Sequence, residues 1–183
     1  EKLHCIQASF ANPPMKAVHK FFVIDRAAFL ALPEKNCPRF QELRDQGQVK
    51  QREISLMEVV EGSLRNSLAV VSHRWKEPQH PDRYGTQIVE IKRLLGKHPR
   101  IEQVWYDWLC IPQKHGGGRT AEDDAYFHET LQEMLPFLFL GATVFSLWDQ
   151  QYAGRFWPGI EMFVSMKSVG PEGISPARDE HFR

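Results

Sequence analysis

The hydrophobic pattern of this chain has two tempos, and the change falls near residue 67. Before it, apolar residues come in short bursts. Ala17 to Asp25 (AVHKFFVID) is rich in β-branched and aromatic residues and predicts a strand. Arg26 to Leu32 predicts a short helical turn that stops before Pro33. Arg39 to Gln46 (RFQELRDQ) sets Phe40 and Leu43 at i and i+3, with Gly47 as a helix stop. Val49 to Ile54 reads as a short edge strand. Ser55 to Gly62 (SLMEVVEG) has a helix's start and stop signals: Ser55 as cap, Glu58 three residues on, Gly62 at the end. Glu1 to Lys16 is irregular, with Asn12-Pro13-Pro14 blocking regular structure.

After Ser67 strands and helices alternate. Leu68 to Ser72 (LAVVS) is a continuous apolar run, as expected of a strand buried on both faces. Gly85 to Leu95 places Ile88, Ile91 and Leu95 at helical spacing. Ile101 to Tyr106 is a second strand. Thr120 to Leu140 predicts a long helix opened by Thr120, with Glu122, Asp123 and Asp124 where the macrodipole favours acids and Pro136 ending or kinking it. Ala142 to Trp148 is the third strand and Arg155 to Lys167 the last clear helix. Gly170 to Arg183 has no periodicity and reads as a tail or a connection.

This rhythm predicts an α/β fold: three layers, a mostly parallel sheet with helices on both faces, flavodoxin-like in type, and an N-terminal α+β extension. Residues 1–66 are the extension, free to pack on the core, 67–168 the α/β domain and 169–183 the tail. Right-handed crossovers bring the three strand C-termini to one edge, where open α/β sheets bind ligands. That edge gathers Ser72-His73-Arg74-Trp75, then Asp107-Trp108, then Asp149 to Trp157.

Composition narrows the function classes. The chain has 183 residues, 42% hydrophobic and 25% charged, the profile of an ordinary globular protein. Lys+Arg and Asp+Glu both number 23, so a dedicated nucleic-acid binder, with its basic excess, is not expected. Cys5, Cys37 and Cys110 lack metal-type spacing and read as reduced thiols of a cytoplasmic protein. The chain begins at Glu1 rather than Met, as a fragment does, and shows no signal peptide. Its longest apolar run, Met134 to Trp148, is broken by Pro136 and Gly141 and falls short of the roughly 20 residues that span a bilayer, so no membrane partner is expected.

Each chemical candidate has a structural alternative. Arg74 has the forked donors for a phosphate and Trp75 a surface for stacking on a base. Equally, Trp75 can cover the core while Arg74 pairs with Asp82 or Asp107. Asp107 suits a ribose hydroxyl or the orientation of Arg74, or else a plain ion pair or helix cap. Trp157 and Glu161 are i and i+4 and share a helix face. A lone acid among Trp157, Ile160, Met162 and Phe163 is either catalytic or a surface Glu beside core aromatics.

Other patterns fail on context. His115-Gly116-Gly117-Gly118 resembles a lipase oxyanion loop, but no G-x-S-x-G elbow exists in the chain. The same glycines, with Ala121, spell G-x-G-x-x-A, yet they come well after the strand they should follow. His128-Glu129 has no second His, so no metal is expected. Cys110 lacks a basic activator in sequence.

Taken in order, VVSHRW, VWYDWLCIPQ and YAGRFWPGIE resemble the Toll/interleukin-1 receptor (TIR)-like domain superfamily, in its divergent branch akin to fungal heterokaryon-incompatibility (HET) domains. Ser72 stands at the end of the first strand, and Asp107 and Pro112 in the loop after the second. Tyr152, Trp157 and Glu161 match the pattern after the third. Pro158 stands where Cys is usual and Arg155 where Ser is common. The likeness covers roughly residues 67–168. A TIR sheet has two further βα units after this helix, which the sequence does not supply, and the N-terminal extension is no standard TIR part.

The resemblance implies an NAD glycohydrolase acting in stress or immune-type signalling, with NAD as substrate, no cofactor, and activity tied to self-association through the TIR-like domain. Glu161 falls on the catalytic glutamate. Tyr152 and Trp157 would shape the nicotinamide-ribose pocket. Ser72 and Arg74 would contact ribose or phosphate, oriented by Asp107, with His73, Trp75 and Arg155 completing the substrate-binding set. One carboxylate suits this chemistry: nicotinamide leaves neutral from a cationic pyridinium, so no general acid is needed and only the oxocarbenium-like ribose must be stabilised. The rivals are a catalytically silent TIR-like interaction or nucleotide-binding module and, more remotely, a nucleoside deoxyribosyltransferase-like enzyme.

Overall fold

The computed structural model describes residues 18–114, 117–152, 154–170 and 173–177. The segment 1–17 with Cys5, the first two residues of the 115–118 glycine loop, Ala153, and residues 171–172 and 178–183 lie outside the described residues.

Five strands make one sheet: β1 (Val18–Asp25), β2 (Val49–Ser55), β3 (Leu68–Ser72), β4 (Gln103–Trp105) and β5 (Thr143–Ser146), in the order β2-β1-β4-β3-β5. β3 runs parallel to β4 and to β5, whereas β1 is antiparallel to β2 and to β4. The fold is α/β as expected, but its sheet is mixed rather than mostly parallel. The stretch read as an extension supplies two of the five strands.

One arginine explains why β1 seats against β4. Only Ile24 and Asp25 pair with it, opposite Val104 and Gln103. The next residue, Arg26, donates from its guanidinium to the carbonyls of Leu95, His98 and Ile101 at 2.7–3.2 Å. A cation satisfies carbonyls left open at a helix C-terminus and pins the end of β1 to the turn before β4.

Local signals set most boundaries. α1 (Arg26–Ala31) and α2 (Phe40–Asp45) lie between β1 and β2. Ser55 and Glu58 close a capping box on α3 (Leu56–Glu61), and Gly62 ends it at φ 70°. All five residues of β3 are buried. α4 (Thr86–Lys97) buries Ile88, Ile91 and Leu95, and the buried Asp82 carboxylate accepts from the Gln87 and Ile88 amides at its start. A four-residue turn, α5 (Asp107–Cys110), follows β4.

Thr120 caps α6 (Ala121–Glu129) through a box with Asp123. The helix then widens into a π turn over Thr130–Met134 and resumes as α7 (Leu135–Gly141). Pro136 neither ends nor breaks it. Proline removes an amide and crowds the carbonyl four residues back, and the wider turn makes the room. β5 then leads to α8 (Phe156–Ser165). The helix read as reaching Lys167 stops at Ser165, and an antiparallel pair follows, β6 (Lys167–Gly170) with β7 (Gly173–Pro176), the latter within the stretch read as lacking periodicity. Among the described residues no helix is long and apolar enough to cross a membrane.

Candidate functional site

The parallel trio β4-β3-β5 delivers three loops to one edge. β3 connects to β4 on one side, and the chain then crosses back to β5 on the other, so its direction reverses at β3. That reversal is where an open sheet leaves a crevice.

Two hydrogen-bond clusters meet there. Ser72 Oγ donates to Glu161 Oε2 at 2.5 Å and lies 2.5 Å from Tyr152 OH. A hydroxyl has one proton, so with Ser72 committed to the carboxylate, Tyr152 donates to Ser72. The relay Tyr152, Ser72, Glu161 joins the β5 loop, the end of β3 and α8. Beside it, Asp107 bonds His73 Nε2 at 2.8 Å and accepts from Trp75 Nε1 at 2.7 Å. It also accepts from the Trp108 amide at 2.6 Å. Tyr106 packs on the imidazole with ring centroids 4.6 Å apart.

Burial decides the protonation of these groups. It pushes the Glu161 carboxyl up to about 7; the Ser72 hydrogen bond pulls it back, the Asp107 charge adds to the rise and His73 opposes it. Burial disfavours the His73 imidazolium, but the Asp107 charge and hydrogen bond outweigh it and leave the imidazole's pKa raised. Burial works against the Asp107 charge too, and the His73 charge and hydrogen bonds hold that carboxyl below its ordinary range. Desolvation raises the Tyr152 phenol, which therefore stays a donor at neutral pH.

A cavity of about 540 Å³ opens over this floor. Its wall carries four cationic side chains, Arg74, Lys114, Arg119 and Arg155, against the two carboxylates Asp107 and Glu161. Trp75, Trp157, Phe127 and Phe156 supply aromatic surface. Arg119 is fixed by a bond from Nε to the Pro112 carbonyl and by stacking 3.4 Å over the Phe127 ring. Anions and flat rings are the chemistry such a wall takes up.

Of the residues named from sequence, His73, Arg74, Trp75, Asp107, Arg155, Trp157 and Glu161 line this cavity. Ser72 and Tyr152 do not: both are fully buried and act on Glu161 from beneath. Asp107 does not orient Arg74; it holds His73 and Trp75 instead. Arg74 pairs with neither Asp82 nor Asp107, but grips Asp149 with Nε and Nη2 at 2.8–3.2 Å. Sequence reasoning missed Asp149 in that role and the wall contributed by Lys114, Arg119, Phe127 and Leu131. Lys114 and Arg119 precede α6, Phe127 lies within it and Leu131 in the π turn after it, and none carries a local signal that singles it out.

The arrangement excludes one reading of Ser72, His73 and Asp107. Asp107 bonds His73 Nε2, but Ser72 Oγ bonds Glu161 and Tyr152 and not the imidazole, so the three do not form a serine-nucleophile relay. No protein-family model matches the chain, and neither does any curated protein or solved structure.

Proposed function

We propose that this chain is a TIR-like NAD glycohydrolase that cleaves the bond between nicotinamide and ribose, with Glu161 as the catalytic carboxylate. The observation that carries the reading is the Glu161 carboxyl, hydrogen-bonded from below by Ser72 on the floor of a cavity whose wall is cationic and aromatic, while the other carboxylate, Asp107, is engaged by His73 and Trp75.

The chemistry needs little else. As the C1′–N1 bond breaks, its electron pair leaves with the ring nitrogen and neutralises the pyridinium. Positive charge grows on the ribose, and the Glu161 carboxylate faces it in a site partly shielded from water, where an electrostatic contact counts most. Water, or a nucleophile within the product itself, then bonds to C1′, and the proton it releases passes to the Glu161 carboxylate and on to solvent. The Ser72 hydrogen bond orients the carboxylate and favours its ionised form. Cations along the wall suit the diphosphate, and Trp157 and Trp75 offer stacking faces.

Nicotinamide release, followed by chromatography at high protein concentration, tests this. Glu161→Ala should fall at least ~100-fold below the parent chain. Equal turnover in the two would sink the assignment of Glu161. A second reading, a catalytically silent binding or self-association module, is favoured by the exposed apolar side chains Phe156, Trp157 and Phe163 on α8. Persistent silence under crowding, with tight nucleotide or partner binding, would select it.

A further inference from the structure

Glu161 borders two cavities. The second, of about 430 Å³, lies between the π turn and α8 and shares Leu131, Leu135, Trp157 and Glu161 with the first. The two differ in charge. The first holds all four wall cations, whereas among the described residues Glu161 is the only Asp, Glu, Lys or Arg lining the second. Its floor is apolar, with Phe139 and Val164, and Ile160 at the rim. His128 and Gln132 are its polar groups apart from Glu161. It exists because the helix widens there: the π turn over Thr130–Met134 carries Leu131 and Gln132 into the lining. Such turns recur at functional sites.

We infer that this groove receives the leaving group, a flat, uncharged heteroaromatic amide, while the cationic cavity keeps the sugar diphosphate. The inference rests on the glycohydrolase reading and adds a direction to it. An anion gains from the first cavity and nothing from the second. A neutral ring gains from apolar contact, from stacking on the half-exposed Trp157, and from His128 or Gln132 for its carboxamide. The bond to be broken then lies at the shared wall, beside the Glu161 carboxylate. Separating the products into two compartments also discourages the reverse step, because the ring nitrogen's electron pair moves away from the electrophilic carbon.

Free nicotinamide and free ADP-ribose are the probes. NMR titration of the full chain with nicotinamide should shift the Ile160 and Val164 methyl signals, which belong to the groove alone, while ADP-ribose should shift the Arg74 and Arg155 side chains. Ile160→Trp narrows the groove from its exposed rim, and Val164→Phe narrows it from the floor. Each should weaken nicotinamide binding and product inhibition by roughly tenfold and leave ADP-ribose binding within about twofold. Nicotinamide shifts confined to the cationic cavity, or no shifts at all, overturn the inference whether or not NAD is cleaved. Cleavage that depends on Glu161 but shows unchanged nicotinamide inhibition in both variants overturns it while the glycohydrolase reading stands. Absence of cleavage, with nicotinamide still in the groove, counts against the glycohydrolase alone.

Discussion

Ser72 Oγ donates to Glu161 Oε2 at 2.5 Å, joining positions 89 residues apart in the chain. The bond ties the most buried strand of the sheet to the helix that carries the lone acid. It also competes directly with the burial that pushes Glu161 up to about 7.

Removing the hydroxyl should therefore show in the pH profile before it shows in the fold. Activity that needs the carboxylate rises with pH through about 7 in the parent chain. In Ser72→Ala that limb should move up by roughly half to one pH unit, with kcat at pH 7 lower by about two- to fivefold. A pH-rate series on both proteins checks this; superimposed limbs would show that Ser72 does not hold the carboxylate.

Glu161 should also cost stability at alkaline pH. Its folded pKa lies above the ordinary 4.5, so its contribution is fully present below pH 4.5 and lost as pH rises through about 7. Above that the buried charge is a net penalty of up to about 3 kcal/mol. Glu161→Gln keeps an acceptor for Ser72 and removes the charge. It should melt higher than the parent by roughly 3–8 °C at pH 8.5, and within about 2 °C of it at pH 4.5. Thermal scans at the two pH values decide it.

Asp107→Asn should destabilise the protein in a pH window set by two groups. Asp107 has a lowered pKa, so its contribution is present above 3.8 and lost as pH falls through the folded value. His73 has a raised one, so its contribution is present below 6.5 and lost as pH rises through the folded value. The deficit of the variant should be greatest between those limits, about 2–4 kcal/mol, because the His73 side chain is only 3% exposed and loses its counter-charge. Urea unfolding at pH 5.5 and pH 9 should show the larger loss at pH 5.5.

The pair between Arg74 and Asp149 should behave differently. Asp149 is 35% exposed, so its screened ion pair contributes less than about 1 kcal/mol to stability. Its importance lies in occupying the guanidinium fork that a phosphate would use. Asp149→Ala should leave the melting temperature within about 2 °C and tighten ADP-ribose binding, as read by calorimetry. Weaker binding would show that Asp149 positions the arginine rather than competing for it.

Gly85 tests the loop behind the site. It starts α4 at φ 81°, and a Cβ there would lie 2.3 Å from the Glu34 carbonyl oxygen. Both the backbone conformation and the contact oppose a side chain, so Gly85→Ala should cost about 2–4 kcal/mol by urea unfolding. A loss below ~1 kcal/mol would mean that the Glu34 segment yields readily.

Much of the fold is legible in local patterns. The all-apolar LAVVS, the capping residues Ser55 and Thr120, and the stops at Gly47 and Gly62 each act over a few residues of backbone, and each does so in the structure. The convergence of SHRW, Asp107 and the Asp149 to Trp157 segment on one edge also followed from sequence, because parallel strands joined by crossovers must end together. Glu161 stood out because an acid in an apolar helix is unusual.

What tertiary structure alone decided are the pairings. Nothing in the sequence near Asp25 announces that β1 runs antiparallel to β4, since the anchor is Arg26 reaching carbonyls about 70 residues away. Nothing near Arg74 selects Asp149 over Asp82 or Asp107. The three acids are chemically alike, and only the packed backbone fixes which one meets the fork. Glu161 shows the division most clearly. Its place on a helix among aromatics is written in the sequence. Its raised pKa, its Ser72 donor and its position between two cavities of different charge arise only when residues from β3, β4, α6 and α8 exclude water together. Desolvation is a property of the assembled environment, and no single segment can encode it.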